Sequence, residues 1–167
     1  MTAARLSKGQ RRIGSILQEI PAAREQLLIA IEDFGDGFEQ DAFLAAARSP
    51  DARERNKVAV VEREYEVLLN WLHELAARGL SEGKRLGVVD KSPGHVWERL
   101  AALGVISHDS AARLQRAKEL RDMLGHAYPP ANWRSLHDGV LVLVEELDRY
   151  LVSFERWAND EEFIPLS

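Results

Sequence analysis

The residues best suited to chemistry stand together in one short run, Arg121-Asp122-Met123-Leu124-Gly125-His126-Ala127-Tyr128. Histidine titrates near neutral pH, so His126 is equipped to take a proton from a hydroxyl or deliver one to a leaving oxygen. Arginine keeps its charge and presents a planar fork of donors, which suits Arg121 to an anion that grows during a reaction. An arginine shortly before a histidine is common by chance, and the context singles out this pair. His126 is the only histidine with an arginine at a spacing of five to seven residues, a tyrosine follows two positions on, and Pro129-Pro130 closes the run. On an ideal helix the two residues stand about 500° apart, a net 140°, so they do not share a face. Gly125 and the proline pair are the places where the last turn can loosen to bring them together. The bland alternatives are an arginine snorkelling out of a helical bundle and a tyrosine that covers core with its ring while wetting its hydroxyl.

Other familiar sites are missing from the sequence. No histidine pair has the spacing of a helical zinc site, no G-x-S-x-G is present, and Gly83-Lys84 lacks the upstream glycine and following Ser or Thr of a phosphate loop. The absence of cysteine excludes disulfides and thiolate metal sites and points to a reducing compartment. His73 lies among Trp71, Leu72 and Leu75 and reads as a packed, hydrogen-bonded histidine. His95, His108 and His137 stand near helix starts, where local hydrogen bonding is their expected use. No cofactor is expected.

The elements that must position the run are helical. Ile13, Ile16, Leu17, Ile20, Leu27, Leu28 and Ile31 keep helical spacing, with Pro21 either kinking the helix or opening a second one. Asp41 to Ala47 predicts a helical turn or two before Ser49-Pro50. Val58, Val61, Tyr65, Leu68, Leu72 and Leu75 predict a long helix from Asp51 to Ala77, ended by Gly79. Ser92-Pro93 reads as a cap and first residue of a short helix through Leu100 and Leu103 to Gly104. Ser107 is placed to cap a fourth helix with Leu114, Ala117, Leu120 and Leu124 on one stripe, and this helix must stop by Tyr128, before proline. Asn132 caps a last helix whose stripe is Val140, Leu143, Val144, Leu147, Leu151 and Phe154, with Leu141 and Val142 widening its apolar surface. The class is therefore all-α, a four- to five-helix up-and-down bundle forming one domain over 1–167, with 158–167 a flexible acidic tail.

The R-x4-H-x-Y run of Arg121, His126 and Tyr128, set at the end of the penultimate helix, resembles the motif of the HEPN superfamily. From about Asp51 to Trp157 the helix order and lengths look closest to the HepT-like toxins that are paired with small nucleotidyltransferases. The resemblance implies a HEPN-like bundle and a metal-independent endoribonuclease, with Arg121 and His126 as catalytic residues for attack of an RNA 2′-hydroxyl on its own phosphate. It further implies a homodimer whose two motifs meet in one cleft, a cognate nucleotidyltransferase antitoxin as partner, and AMP transfer to Tyr128 as the means of neutralisation. Asp122 departs from the pattern, since asparagine or histidine is frequent there; its carboxylate either weakens phosphate binding or orients Arg121 as a supporting residue. The alternative function is a non-catalytic HEPN module that docks a nucleotidyltransferase.

Charge and hydropathy frame these readings. A net charge of −5 argues against a general nucleic-acid binder, but the charge is unevenly distributed. Arg113, Arg116, Lys118, Arg121 and Arg134 face only Glu119 and Asp122, whereas Glu145 to Glu162 is strongly acidic. The basic N-terminal residues have no apolar run behind them of the kind an export signal carries, and Val140 to Val144 is far short of the roughly 20 residues of a membrane helix. A cytoplasmic protein that does not engage membranes is the expectation.

Overall fold

The computed structural model describes residues 5–91, 93–124 and 132–163. These residues form helices only, in the order α1 (Lys8–Glu32), α2 (Gln40–Ala47), α3 (Ala52–Arg85), α4 (Val96–Ala102), α5 (His108–Leu124) and α6 (Asn132–Asp160). Six helices, rather than four or five, are present among the described residues, because the short α2 and α4 are complete elements. No described helix is long and apolar enough to cross a membrane.

The four long helices alternate in direction. Arg12 reaches Glu74 at 2.8 Å and Ser7 reaches Glu82 at 2.5 Å, so α1 and α3 run antiparallel. Arg113 meets Glu146 at 2.8 Å while the space beside Gly139 is filled by Leu120, which makes α5 and α6 antiparallel as well. Tyr150 donates to the Leu72 carbonyl at 3.0 Å and Phe154 lies against Gly79, so α3 and α6 run the same way as diagonal members of an up-and-down bundle.

Each helix is fixed by its apolar stripe. Ile13, Ile16, Ile20, Ala23, Leu27 and Ala30 are the buried face of α1, which is one continuous helix through Pro21. Pro21 lies on the exposed side, where water can serve the carbonyl that loses its donor. The helix starts at a capping box: Ser7 accepts from the Gln10 backbone at 3.0 Å and Gln10 accepts from the Ser7 backbone at 2.8 Å. Ser107 caps α5 through the Ser110 N–H at 3.0 Å, as the sequence predicts, and Asp51, expected as the start of α3, is its N-cap through the Arg53 N–H.

Two boundaries differ from the sequence reading. Gly79 does not end α3, which continues through Gly83 to Arg85. Both glycines serve packing: a Cβ at Gly79 would stand 2.7 Å from Phe154 and 2.9 Å from Trp157, and one at Gly83 would stand 2.5 Å from Val89. Hydrogen-bonded helix neighbours offset the modest cost of glycine, about 1 kcal/mol. The fourth helix starts at Val96 with His95 as its N-cap, while Pro93 lies before it in an irregular segment; the expected cap at Ser92 is outside the described residues.

Of the segment expected as a flexible acidic tail, 158–163 lies among the described residues. Ala158 is buried inside α6 and Phe163 is fully buried, edge-on to Trp157 at 4.7 Å. Acidic residues on the exposed side, Glu155, Asp160 and Glu162, are the solvated face of a packed segment. On α6 itself Leu136, Val140, Leu143, Leu147, Tyr150 and Phe154 are core, while Leu141 and Val152 remain exposed.

Candidate functional site

Arg121 stands in the last turn of α5, where a cation is favoured by the helix dipole. Ala111, Leu114, Ala117 and Leu124 bury the stripe beside it, and Leu120 packs at the edge. Tyr65 fixes the height of α5 against α3: it is fully buried, and its hydroxyl donates to the Ala117 carbonyl at 3.1 Å. Burial raises the Tyr65 pKa, with the charge of Arg121 opposing the shift, so the phenol remains a donor.

The Arg121 side chain does not extend freely into solvent; it is 24% exposed. One terminal nitrogen donates to Asn70 Oδ1 on α3. Nε and the other terminal nitrogen donate to Asp122 Oδ1 at 3.1 and 2.7 Å. Lys118 holds the second Asp122 oxygen at 3.2 Å. A guanidinium has five N–H donors, and contacts among the described residues engage three of them. Asp122 is accordingly held below its ordinary pKa, first by its hydrogen bond from Arg121 and then by that from Lys118. Asp122 thus pairs with the guanidinium through one oxygen and with Lys118 through the other.

His73 belongs to the same neighbourhood. It is half-buried on α3, one turn from Asn70, with its ring edge-on to Trp97 at 5.9 Å. Burial lowers its pKa, and the positive charges of Lys118 and Arg121 lower it further, while Asp122 acts in the opposite sense. A histidine with a depressed folded-state pKa binds fewer protons than the unfolded chain in the window just below its ordinary value. Its contribution to stability is therefore present above about pH 6.5 and is lost as pH falls. His73→Gln is expected to flatten the loss of urea midpoint between pH 7 and pH 5; an unchanged slope would show that His73 is not the group responsible.

His126 and Tyr128, with Gly125 and Pro129-Pro130, lie outside the described residues. Among the residues named from the sequence, the structure brings Arg121 and Asp122 together and joins them to Asn70, Lys118 and His73, which the motif alone did not include. The other histidines are separate. His95 caps α4 beside Glu98, and His108 is the first residue of α5. His137 is buried, with Nε2 2.5 Å from the Phe38 carbonyl and its ring 4.4 Å from that of Phe38. Among the described residues no group of three His, Asp or Glu is arranged to hold a metal. In comparisons with known proteins, the chain matches no family model, no curated protein and no solved structure.

Proposed function

We propose that this protein is a HEPN-like endoribonuclease toxin that cleaves RNA without a metal, using Arg121 and His126. The observation that supports it most directly is the placement of Arg121. The guanidinium is tethered at the α3–α5 edge by Asn70 and Asp122, with two donors unengaged among the described residues, instead of dispersed in solvent. A fixed cation with spare donors is the preorganised arrangement that stabilises a dianionic phosphorane.

In the proposed reaction the 2′-oxygen attacks the adjacent phosphorus as its proton passes to a base, and the bond from phosphorus to the 5′-oxygen breaks as that oxygen is protonated. The products are a 2′,3′-cyclic phosphate and a 5′-hydroxyl, so no metal-bound water is consumed. His126 carries the proton and Arg121 the developing charge. Two chains bring two motifs into one cleft; Leu141 and Val152, exposed on α6, are apolar surface available for such a homodimer. A nucleotidyltransferase antitoxin neutralises the toxin when the Tyr128 phenol oxygen attacks the α-phosphorus of ATP and pyrophosphate leaves. The added AMP places negative charge next to Arg121 and obstructs the RNA backbone.

The test is incubation of the purified protein with RNA in the presence of a chelator, followed by analysis of the fragment ends. Cyclic phosphate ends are expected, and cleavage is expected to stop once partner and ATP have modified Tyr128, as mapped by mass spectrometry. Absence of cleavage and of toxicity on expression would favour the docking module instead, for which the net charge of −5 is the supporting observation.

A further inference from the structure

A second basic feature lies on the same side of α3 as the Arg121 cluster. Lys84 and Lys91 are exposed and Arg99 is half-buried, and all three line a cavity of about 570 Å³ between the C-terminal end of α3 and α4. No acidic side chain lines it, and Ala77, Leu80 and Val96 give it apolar walls. Among the described residues neither lysine has an ion-pair partner, and Arg99 spends one donor on the Asp90 carbonyl at 3.3 Å. Of the nearby acids, Glu82 holds Arg85 at 2.6 Å and Glu74 holds Arg12 and Arg78, while Asp90 and Glu98 line a neighbouring hollow on the other side of Arg99. Cations left uncompensated around an apolar-walled hollow constitute an anion site with a surface for flat apolar groups.

The helix connects this hollow to Arg121. Asn70, His73, Ala77, Ser81 and Lys84 fall within a stripe about 80° wide on α3, spanning roughly 21 Å. At one end Asn70 holds Arg121, and Lys118 lies near His73; at the other Lys84 and Lys91 are joined by Arg99. Small Ala77 and Ser81 occupy the interval, so nothing bulky on α3 interrupts the path. We infer that this stripe is the binding track for a single strand of RNA, with the phosphate to be cleaved at Arg121 and the backbone a few nucleotides away in the Lys84, Lys91 and Arg99 hollow.

The inference rests on the nuclease reading for the identity of the polyanion and on the structure for its path. A single strand is specified because in-line attack by a 2′-hydroxyl needs a flexible backbone that an A-form duplex withholds. The length of the stripe suits on the order of four nucleotides, the low end of single-strand site sizes. The apolar walls offer a face against which a base can lie, and a track confined to one helix face explains how a chain of net charge −5 can still hold RNA.

The experiment measures fluorescence anisotropy with 2′-O-methyl oligouridylates, which lack the attacking hydroxyl and therefore report binding whether or not the protein cleaves. The probes are an eight-mer and a two-mer, compared with oligoglutamate of the same charge as the eight-mer. The wild-type protein is expected to bind the eight-mer most tightly. Lys84→Ala/Lys91→Ala, which removes two exposed side chains, is expected to weaken eight-mer binding about tenfold and reduce the magnitude of the salt slope by about 1.4, with two-mer binding unchanged. Circular dichroism verifies that the variant is folded. Unaltered eight-mer affinity in the folded variant overturns the track, as does oligoglutamate binding as tightly as RNA or failure of the eight-mer to bind at low salt. A parallel assay on unmodified RNA separates the two readings. Loss of eight-mer affinity in the variant without cleavage by wild type sustains the track and removes the nuclease, whereas cleavage with unaltered affinity does the reverse.

Discussion

His126→Ala is expected to lower RNA cleavage by at least about 100-fold, and Arg121→Ala by a similar factor, with helicity unchanged in both. Loss of the histidine removes the group that moves the proton, and loss of the arginine removes the charge that stabilises the phosphorane. Their pH profiles should differ: residual activity in Arg121→Ala keeps the inflection of a group near neutrality, and that inflection disappears in His126→Ala. Asn70→Ala provides the informative third arm. It leaves the Arg121 charge in place but removes its tether to α3, so a partial loss is expected, smaller than that of Arg121→Ala. Cleavage retained by purified His126→Ala would falsify the assignment, since no other histidine in the chain has the required spacing from an arginine.

The largest effect on stability is expected at the contact of α6 with α3. Phe154 is fully buried, lies edge-on to Trp157 with centroids 5.7 Å apart, and occupies the space that Gly79 leaves open. Phe154→Ala is expected to cost about 3–5 kcal/mol, because the lost ring contacts leave a void that long helices cannot collapse into. Gly79→Ala disturbs the same contact from the other side: its new methyl meets the Phe154 ring at 2.7 Å, and about 1–3 kcal/mol of overpacking is expected despite the better helix propensity of alanine. The two changes should couple. Phe154→Leu relieves the closer of the methyl's two tight contacts and leaves the one with Trp157, so Gly79→Ala should cost less there than in the wild type, though still something. Urea unfolding of the four proteins measures the coupling; strict additivity would mean that the two side chains do not press on each other.

How much of this was legible beforehand depended on the range of the interaction. The period of apolar residues in Val58 to Leu75 and Val140 to Phe154 places the two buried stripes, and capping by Ser107 could be read locally. Glycine was misread at Gly79 because its usual role as a helix terminator is local, whereas its role here is set by Phe154 from a helix much later in the chain. Pro21 left a kink and a break equally open, and the continuous buried face from Ile13 to Ala30 keeps α1 whole. Phe163 was assigned to a polar tail by the charges around it, yet one aromatic residue suffices to bind that segment to Trp157. His137 is another case, since its ring is enclosed by Phe38 and Phe43 from the segment around α2.

The candidate site divides along the same line. Arg121 and Asp122 were marked by the motif and are found in contact. Asn70 and His73 had no such mark, because the register of α3 against α5 is set by Tyr65 and the core beneath it. In the sequence Asn70 looks like part of an ordinary solvated face and His73 like a packed histidine, until the facing helix is known.

The hydrogen bond from Gln10 to the Glu162 carbonyl, 3.2 Å long, makes the sequence nearly circular in space. It joins the first turn of α1 to the residues after α6, while Arg121 at the end of α5 lies beside Asn70, half-way along α3. Connectivity and chemistry are thereby separated: a covalent linker from the residues after α6 to those before α1, with new ends cut elsewhere, would reorder the sequence without rerouting any helix past Arg121. The order in which the polypeptide is written is thus separable from the surface that Arg121 presents.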